Sequence, residues 1–385
     1  MRRSTLVGIA AGAVVLTAGV AALSVGLSSS DHAPPAARPT AGSTPLPSSD
    51  TPAPALDSAE LASAFLDDWV EDGRVVRHDE GGDTVSEGQA YGLFAAVIAD
   101  DEESFDEIWD WTQKELLRSD GLMAWRWDDG SVVDDEPASD ADLDAARALV
   151  IAGDRFERGD LRDEGIELAG VIADRLTVMT DRGRILLPGL WAGNDDPYAY
   201  NPSYASPVAY DVLGDATGDP RWAELQAGSA DVTAEILDAT ALPPDWAQVH
   251  SDGVIEPMPG PLGEGDPVQY AFDAPRLLLR YAESCTPADV ALASLPLPTL
   301  DRQDEIAARL DLGGGALASE QSALGFTARA ASAHASGDDV AAMTDLEKAA
   351  KLGTEYPTYY GAAWVMLGTA MLTDDALGGC GTGKS

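Results

Sequence analysis

The stretch Asp135–Phe156, "DEPASDADLDAARALVIAGDRF", indicates what kind of fold this chain adopts. Apolar residues recur within it at three- and four-residue spacing, which is the pattern of an amphipathic helix over 140–156. The residues that define its apolar face are Leu143, Ala146, Leu149 and Val150. An apolar helix face must be buried against another element, so the stretch predicts a fold of packed helices.

Three aspartates stand at alternate positions at the start of this helix. On a helical wheel, Asp142 falls within the apolar face, Asp140 lies near its edge and Asp144 lies outside it. We therefore expect Asp142 to be a buried, hydrogen-bonded support and Asp144 to be surface charge. A calcium loop of the EF-hand type is rejected, because Ala145 and Ile151 stand where its glycine and its bidentate glutamate would be needed.

The surrounding region reads as helix after helix, with almost no alternating strand pattern. The predicted helices cover 57–70, 86–99, 103–117, 140–156, 160–179, 203–213, 219–237, 268–283, 302–311, 318–336, 339–351 and 357–373. Long loops rich in glycine, proline and aspartate separate them, and no segment repeats another at a fixed period. The chain is therefore predicted to be all-α, with paired helices in a closed arrangement rather than a solenoid.

Both ends of the chain differ in composition from the helical region 57–377. Residues 1–27 contain two arginines followed by a long uncharged apolar stretch, which suits either a cleaved signal peptide or an N-terminal membrane anchor. Residues 28–56 are rich in proline, serine and threonine and predict a disordered linker, and 378–385 predict a flexible tail. We expect a secreted protein, or one tethered to the outer face of the cytoplasmic membrane.

The charge balance limits the partners that the protein can have. The formal net charge is −42, with 66 acidic against 24 basic residues, so nucleic acid and acidic lipid head groups are repelled. A cationic polymer such as chitosan would be attracted. Cys285 and Cys380 suit an exported protein in which a disulfide ties the tail to the domain, although two free thiols fit the sequence nearly as well. Neither cysteine has metal-ligand spacing, and no metal site is expected.

Two familiar catalytic motifs are excluded. The C-terminal run "GGCGTGKS", 378–385, matches the Walker A pattern but is followed by no helix whose N-terminus could receive phosphates. Nucleophilic triads fail because no Gly-x-Ser-x-Gly elbow accompanies the four histidines. Any chemistry must therefore come from carboxylates.

Three stretches carry acids suited to glycosidic bond hydrolysis, which needs one protonated and one ionised carboxyl group. Glu87 lies in the first turn of a helix in "TVSEGQAYG", where a glutamate is usually no more than a favourable dipole interaction. Asp140 opens the helix described above. Asp273 precedes a helix in "QYAFDAPRLLLRYA", with Arg276 one turn later. Aromatic residues concentrate in the loops nearby, as in a carbohydrate cleft.

Together these stretches resemble glycoside hydrolase family 8, the inverting, endo-acting hydrolases of β-1,4-glucans, chitosan and xylan. In order, the chain shows "SEGQAYG", "SFDEIWDWTQKEL", "GLMAWRW", "ASDADLDAARALVIAGDRF", "NPSY", "PPDW", "FDAPR" and "YYGAAWVMLG". The resemblance implies an (α/α)6 toroid, a barrel of six helical hairpins with a cleft across one end. It also implies a monomeric hydrolase of a β-1,4-linked polysaccharide, in the cellulase-like branch, without a cofactor.

Roles for individual residues follow from the resemblance. Glu87 matches the general acid, Asp273 the general base, and Asp140 the aspartate that binds the sugar at the cleavage point. An ionised Asp140 would favour the protonated form of Glu87, and Arg276 would keep Asp273 ionised. The remaining residues that match substrate-binding positions are Arg276, Trp125, Trp191, Tyr204, Tyr91 and Tyr360.

Some features leave other functions open. The residue before the base is usually tyrosine in this family, and here it is Phe272. Chitosanases of the family often take a glutamate base from an inserted loop, for which Glu256 or Glu264 would be available, and a xylanase is a further alternative. A polysaccharide-binding protein that has lost turnover is an alternative from a different class.

Overall fold

The computed structural model describes residues 56–265 and 267–380, and these are mostly helical. Within them the helices are α1 (Ser58–Trp69), α2 (Ser86–Ala99), α3 (Glu102–Glu115), α4 (Ser139–Arg155), α5 (Gly159–Arg175), α6 (Pro207–Thr217), α7 (Arg221–Ala239), α8 (Ala274–Ala282), α9 (Pro287–Ser294), α10 (Leu297–Leu300), α11 (Ala323–Ala335), α12 (Asp339–Glu355) and α13 (Tyr359–Thr373).

Six of these helices form a closed inner ring. In order around the ring they are α2, α4, α6, α8, α11 and α13; each packs on the next, and α13 packs on α2 again. Outer helices α3, α5, α7, α9 and α12 each pack against the inner helix that precedes them in the chain, and α1 packs against α13 and α2. The prediction of an (α/α)6 barrel of six helical hairpins is confirmed.

Composition explains which helices are inside. The inner helix α2 is buried on nearly every side, so it has no polar face. The outer helix α3 buries only one stripe, which consists of Phe105, Ile108, Trp109 and Thr112. Glycine allows the inner helices to approach closely: a Cβ at Gly368 of α13 would lie 2.1 Å from the side chain of Thr327 on α11.

Short strands lie in four of the connections that lead from an outer helix to the next inner helix, namely those that precede α2, α4, α6 and α8. They are β1 (Val70–Glu71), β2 (Arg74–Val75), β3 (Thr84–Val85), β4 (Arg126–Asp128), β5 (Ser131–Asp134), β6 (Thr177–Thr180), β7 (Gly183–Leu186), β8 (Tyr198–Tyr200), β9 (Ala247–Val249) and β10 (Ile255–Pro257). The antiparallel sheets are β1–β2, β3–β4–β5, β6–β7 and β8–β9–β10. These connections all lie at the end of the barrel where the inner helices begin.

Several helix predictions need correction. The segment 302–311 is not helical, because Leu310 pairs with Tyr270 and Ala307 with Gln321 in isolated bridges. Helices α6, α8 and α11 begin at Pro207, Ala274 and Ala323 rather than at 203, 268 and 318, and α9 and α10 were not predicted.

The C-terminal end of the described chain is fastened to the barrel. Cys285 and Cys380 form a disulfide with a Cα–Cα distance of 5.1 Å, which answers the question that the sequence left open. The backbone N–H of Cys380 also donates to the carbonyl of Glu283. Ordered structure thus extends to Cys380, within the segment 378–385 predicted as a tail.

The predictions for 1–27 and for nearly all of 28–56 fall outside the described residues. Among the helices of residues 56–265 and 267–380, none is long and apolar enough to cross a membrane.

Candidate active site

The predicted site residues meet at the end of the barrel where the inner helices begin. Glu87 lies in the first turn of α2 and Asp140 in the first turn of α4. Asp273 immediately precedes α8, and Tyr360 is in the first turn of α13. Residues that are far apart in the chain therefore come together because every inner helix starts at this end.

Arg276 in the first turn of α8 joins these groups. Its Nη1 donates to Glu87 Oε1 at 3.1 Å, to Asp140 Oδ2 at 3.0 Å and to the Tyr91 hydroxyl at 3.3 Å. Its Nη2 donates to Asp273 Oδ1. The Arg276 side chain is 1% exposed, whereas Glu87 and Asp273 are 26% and 28% exposed. The two proposed catalytic carboxylates thus reach solvent while the arginine that holds them does not.

The contacts limit how far apart the two carboxylates lie. Glu87 and Asp273 bind different nitrogens of one guanidinium. The distance between their contacting oxygens therefore cannot exceed the sum of two hydrogen-bond lengths and the width of the guanidinium, which is about 9 Å. Inverting glycosidases hold their two carboxyl groups about 6.5 to 9.5 Å apart, which leaves room for a water. The geometry is therefore compatible with inversion.

Charge imbalance favours a retained proton in this cluster. Three carboxylates share the single charge of Arg276, and Asp140 is only 2% exposed. Burial, followed by the nearby charge of Glu87, raises the pKa of Asp140 well above its ordinary value, although Arg276 opposes this. The sequence suggested an ionised Asp140, but its burial beside Glu87 favours the protonated form of Asp140.

The pKa of Asp273 also differs from the sequence-based expectation that Arg276 would keep this residue ionised. Burial raises its pKa despite the opposing charge of Arg276, because that arginine is divided among three acids. The side chain of Asn201 acts in the opposite direction and lowers the pKa of Asp273. Asn201 Oδ1 accepts from the N–H and hydroxyl of Ser203, and its buried NH2 group has no hydrogen-bond partner among the described residues. Asn201 belongs to the "NPSY" motif, from which no role was predicted for it.

Aromatic side chains surround Arg276. Its guanidinium carbon lies 5.4 Å from the ring centroid of Tyr204, and this ring contacts Trp246 edge-on at 6.2 Å. The Tyr360 hydroxyl donates to the carbonyl of Phe272 at 2.6 Å, which fixes the residue before Asp273. Tyr91, Tyr204 and Tyr360 are thus brought to the site, and the ring of Phe272 is 49% exposed beside it.

The two predicted tryptophans lie further out. The carbonyl of Trp125 accepts from the N–H of Ser86 at 2.9 Å, so Trp125 is adjacent to the start of α2 and to Glu87. Trp191 packs, together with Trp246, against a small apolar cluster beside β8. Both positions suit the walls of a cleft, and their contact with sugar stays a prediction.

Asp142 behaves as expected, but Asp144 does not. Asp142 is fully buried, and its Oδ1 accepts from the N–H of Met123 at 2.8 Å. Asp144, predicted to be surface charge, is also buried and accepts from both terminal nitrogens of Arg280 at 2.6 Å. The wheel failed because an inner helix is buried all round and has no outside for Asp144 to occupy.

Three ion pairs follow one another between α4 and α8 towards the far end of the barrel. After Asp140–Arg276 and Asp144–Arg280, Arg147 makes two bonds of 2.9 and 2.8 Å to the carboxylate of Glu283. Each pair joins residues that are 136 positions apart. Arg147 also donates to the carbonyl of Leu377, near the disulfide. This column of ion pairs therefore connects the cleft end with the fastened C-terminal segment.

Asp142 gives the protein a predictable pH dependence. Burial raises its pKa to about 8, so the native state binds this proton more tightly than the unfolded chain does. The resulting stability is complete below the unfolded pKa of about 3.9 and is lost as pH rises through about 8. Asp142→Asn, which keeps the acceptor for Met123, should nearly match wild type at pH 4 and be about 5 kcal/mol more stable at pH 8, because each of roughly four pKa units contributes about 1.4 kcal/mol.

Urea unfolding at the two pH values measures this difference for Asp142→Asn. A stability change of equal size at pH 4 and pH 8 would contradict a buried titrating carboxyl.

No three histidine, cysteine, aspartate or glutamate side chains lie close enough to hold a metal ion within residues 56–265 and 267–380.

Comparison with known proteins decides which family has this arrangement. The family model for glycosyl hydrolases family 8 matches residues 63–373, which include every residue of the cluster around Arg276. The chain belongs to glycoside hydrolase family 8. It is therefore a glycoside hydrolase, and the resemblance seen in the sequence is confirmed.

Several relatives of this family 8 chain are known. A probable endoglucanase from Novacetimonas hansenii is 30% identical over 305 residues, which cover 77% of this chain and 84% of the relative. The solved endo-β-1,4-glucanase CMCax from Acetobacter xylinum superposes with a TM-score of 0.69 at 24% identity, covering 82% of this chain and 97% of that one.

A β-1,3-1,4-glucanase from Paenibacillus sp. X4 superposes on this family 8 chain with a TM-score of 0.73 at 19% identity, over 81% and 90% of the two chains. At such identities the two structures support the barrel fold alone.

Proposed function

We propose that this protein is an inverting endo-β-1,4-glucanase that cleaves a cellulose-like polysaccharide. The observation that carries the proposal is the contact of one buried arginine, Arg276, with Glu87, Asp140 and Asp273 at the open end of the barrel. Endoglucanase relatives, of which one aligns over most of this chain, support the choice of substrate.

The three acids have separate tasks in this proposal. Glu87 donates its proton to the glycosidic oxygen as the bond to the anomeric carbon breaks. Asp273 accepts a proton from a water that attacks this carbon from the opposite face, so the configuration inverts. Asp140, buried behind them, hydrogen-bonds the sugar at the cleavage point. Tyr204, Trp125 and Trp191 offer faces for sugar stacking.

A reducing-end assay of the full chain tests the substrate. Carboxymethyl cellulose, barley β-glucan, xylan and chitosan are compared, with proton NMR of the first products formed. We expect cleavage of the two β-glucans in the chain interior and initial release of the α-anomer. Initial β-anomer would refute inversion, and binding of a polymer without cleavage would favour the non-catalytic alternative.

A chitosanase is disfavoured by the position of Glu256, one of the residues that could serve as its general base. Glu256 lies on β10, is exposed, and accepts from the side chain of Gln248 at 2.6 Å, with His250 at 3.3 Å. Asp273, by contrast, is already in place beside Arg276 and Glu87. Preferential cleavage of chitosan in the same assay would overturn this assignment.

An extracellular location is part of the proposal. It is supported by the apolar composition of the N-terminal stretch and by the disulfide between Cys285 and Cys380, which suits an oxidising compartment. Fractionation of expressing cells should place activity in the medium or on the outer face of the cytoplasmic membrane. The mass of the recovered protein then distinguishes a cleaved signal peptide from a retained membrane anchor. Activity confined to the cytosol would reject the proposed location.

A further inference from the structure

The general base occupies an unusual position for an aspartate. Asp273 is the N-cap residue of α8, where an aspartate normally accepts hydrogen bonds from backbone N–H groups of the first turn. It makes no such bond. Pro275 has no N–H to offer, and the N–H of Arg276 is taken by the backbone carbonyl of Asp273. The carboxylate of Asp273 therefore takes no part in capping α8, and its Oδ1 accepts from the side chain of Arg276 instead.

Another aspartate caps the helix instead. Oδ1 of Asp245 accepts from the N–H groups of Ala271 at 2.9 Å, Asp273 at 3.2 Å and Ala274 at 2.9 Å. Its own N–H donates to the carbonyl of Gln269 at 2.8 Å, so it is fixed against the same segment. Asp245 is 8% exposed. One buried oxygen thus determines the conformation of the turn 271–274.

We propose that Asp245 is a positioning residue for the general base: it takes over the capping of α8, holds the turn that carries Asp273, and acts on the Asp273 carboxylate through its charge. The inference rests on the proposed function, in which Asp273 activates the water. "PPDW" was one of the motifs in the sequence to which no role had been given.

The two carboxyl groups influence each other's titration. Burial, followed by the charge of Asp273, raises the pKa of Asp245 to about 7, against three backbone N–H groups that lower it. Because it is the ionised Asp273 that raises this pKa, Asp273 ionises first, and the charge of Asp245 reaches Asp273 only near and above pH 7. The other titratable or charged groups around the pair are Arg276, Glu87, Asp140, Tyr204, Tyr360 and Tyr270.

Two substitutions separate position from charge. Asp245→Asn keeps an oxygen acceptor for the three N–H groups and removes the charge, whereas Asp245→Ala removes both. Asp101→Asn is the matched control, since Asp101 caps the outer helix α3 through the N–H of Ser104 at 3.1 Å. Each variant of the full chain is assayed on barley β-glucan from pH 4 to 9, after its fold is checked by circular dichroism.

We expect Asp245→Asn to keep kcat within about 3-fold of wild type below pH 6 and to lose the inflection of kcat/KM that wild type shows near pH 7, because only the charge of Asp245 is removed. Asp245→Ala should lose about 100-fold or more in kcat. Asp101→Asn should follow the wild-type profile. A profile of Asp245→Asn that superimposes on wild type would overturn the proposal.

A second measurement keeps this test independent of the substrate assignment. Carbon-13 NMR of the aspartate carboxyl groups follows the titration of Asp273 directly, with Asp273→Asn used to assign its signal. The Asp273 signal should report the ionisation of Asp245 as a second inflection near pH 7, which is lost in Asp245→Asn and kept in Asp101→Asn. An inflection that persists in Asp245→Asn would reject the inference, whereas an inactive wild type whose inflection is still lost in Asp245→Asn would reject only the proposed function.

Discussion

Replacing Glu87 by glutamine should reduce kcat on barley β-glucan by about 100- to 10,000-fold, which is the usual contribution of general acid catalysis. Glutamine preserves the size of the side chain and an acceptor for Arg276 Nη1, which contacts Glu87 at 3.1 Å. It cannot give a proton to the departing sugar oxygen. Because substrate binding does not depend on that proton, KM should change much less than kcat.

The leaving group offers a sharper test of the role of Glu87. In an aryl glycoside with an acidic phenol, the phenolate leaves without being protonated. Glu87→Gln should therefore lose far less activity on such a substrate than on glucan. Glu103→Gln is the matched control, since Glu103 lies in the first turn of the outer helix α3. Equal losses of Glu87→Gln on both substrates would assign Glu87 a binding role instead.

Removing the carboxylate of Glu283 should cost about 3–5 kcal/mol of the free energy of unfolding. Its partner Arg147 is 0% exposed and Glu283 is 1% exposed, so alanine would leave an uncompensated guanidinium inside the barrel. The carbonyl of Leu377 would still accept hydrogen bonds from this guanidinium. Unfolding in guanidinium chloride, followed by tryptophan fluorescence, measures the loss.

An exposed ion pair provides the comparison for Glu283→Ala. Asp100 binds Arg155 at 2.7 Å, with side chains 67% and 35% exposed, so Asp100→Ala should cost no more than about 1 kcal/mol. Similar losses in the two variants would show that burial does not determine the contribution of the Arg147–Glu283 pair.

The sequence predicted the fold well where helices are long and periodic. The predicted 86–99 coincides with α2, and 140–156 differs from α4 by one residue at each end. Periodicity failed at 302–311, where the bridge between Leu310 and Tyr270 competes with local helix propensity. A contact between residues so distant in the chain leaves no periodic signal.

The residues of the candidate site were predictable individually, and their mutual contacts were not. Motif order identified Glu87, Asp140 and Asp273, but no local pattern shows that a single arginine contacts all three. Asp245 was missed because its role consists of bonds to backbone N–H groups more than twenty residues away. In the sequence, Asp245 was marked only by the "PPDW" motif, for which no role was predicted.

The misassignment of Asp144 has a specific cause. A helical wheel assumes that charge faces water, which holds for outer helices but not for a helix in the inner ring. Asp140, Asp144 and Arg147 recur at helical spacing on α4. A stripe of opposite charges, Arg276, Arg280 and Glu283, recurs at the same spacing across the barrel. Two complementary stripes of this kind are the signal that would have predicted the pairing.

The order of signs in the column of ion pairs has a consequence for the alignment of α4 and α8. Two pairs have the acid on α4, and the last has it on α8. If α8 slid by one turn in one direction, Arg280 would meet Arg147; in the other direction, Glu283 would meet Asp144. Either slide would place like charges together in the interior, where they repel strongly. The reversed last pair therefore disfavours any shift of α8 by one turn along the barrel axis. It thereby fixes the position of Asp273 relative to Asp140 along that axis.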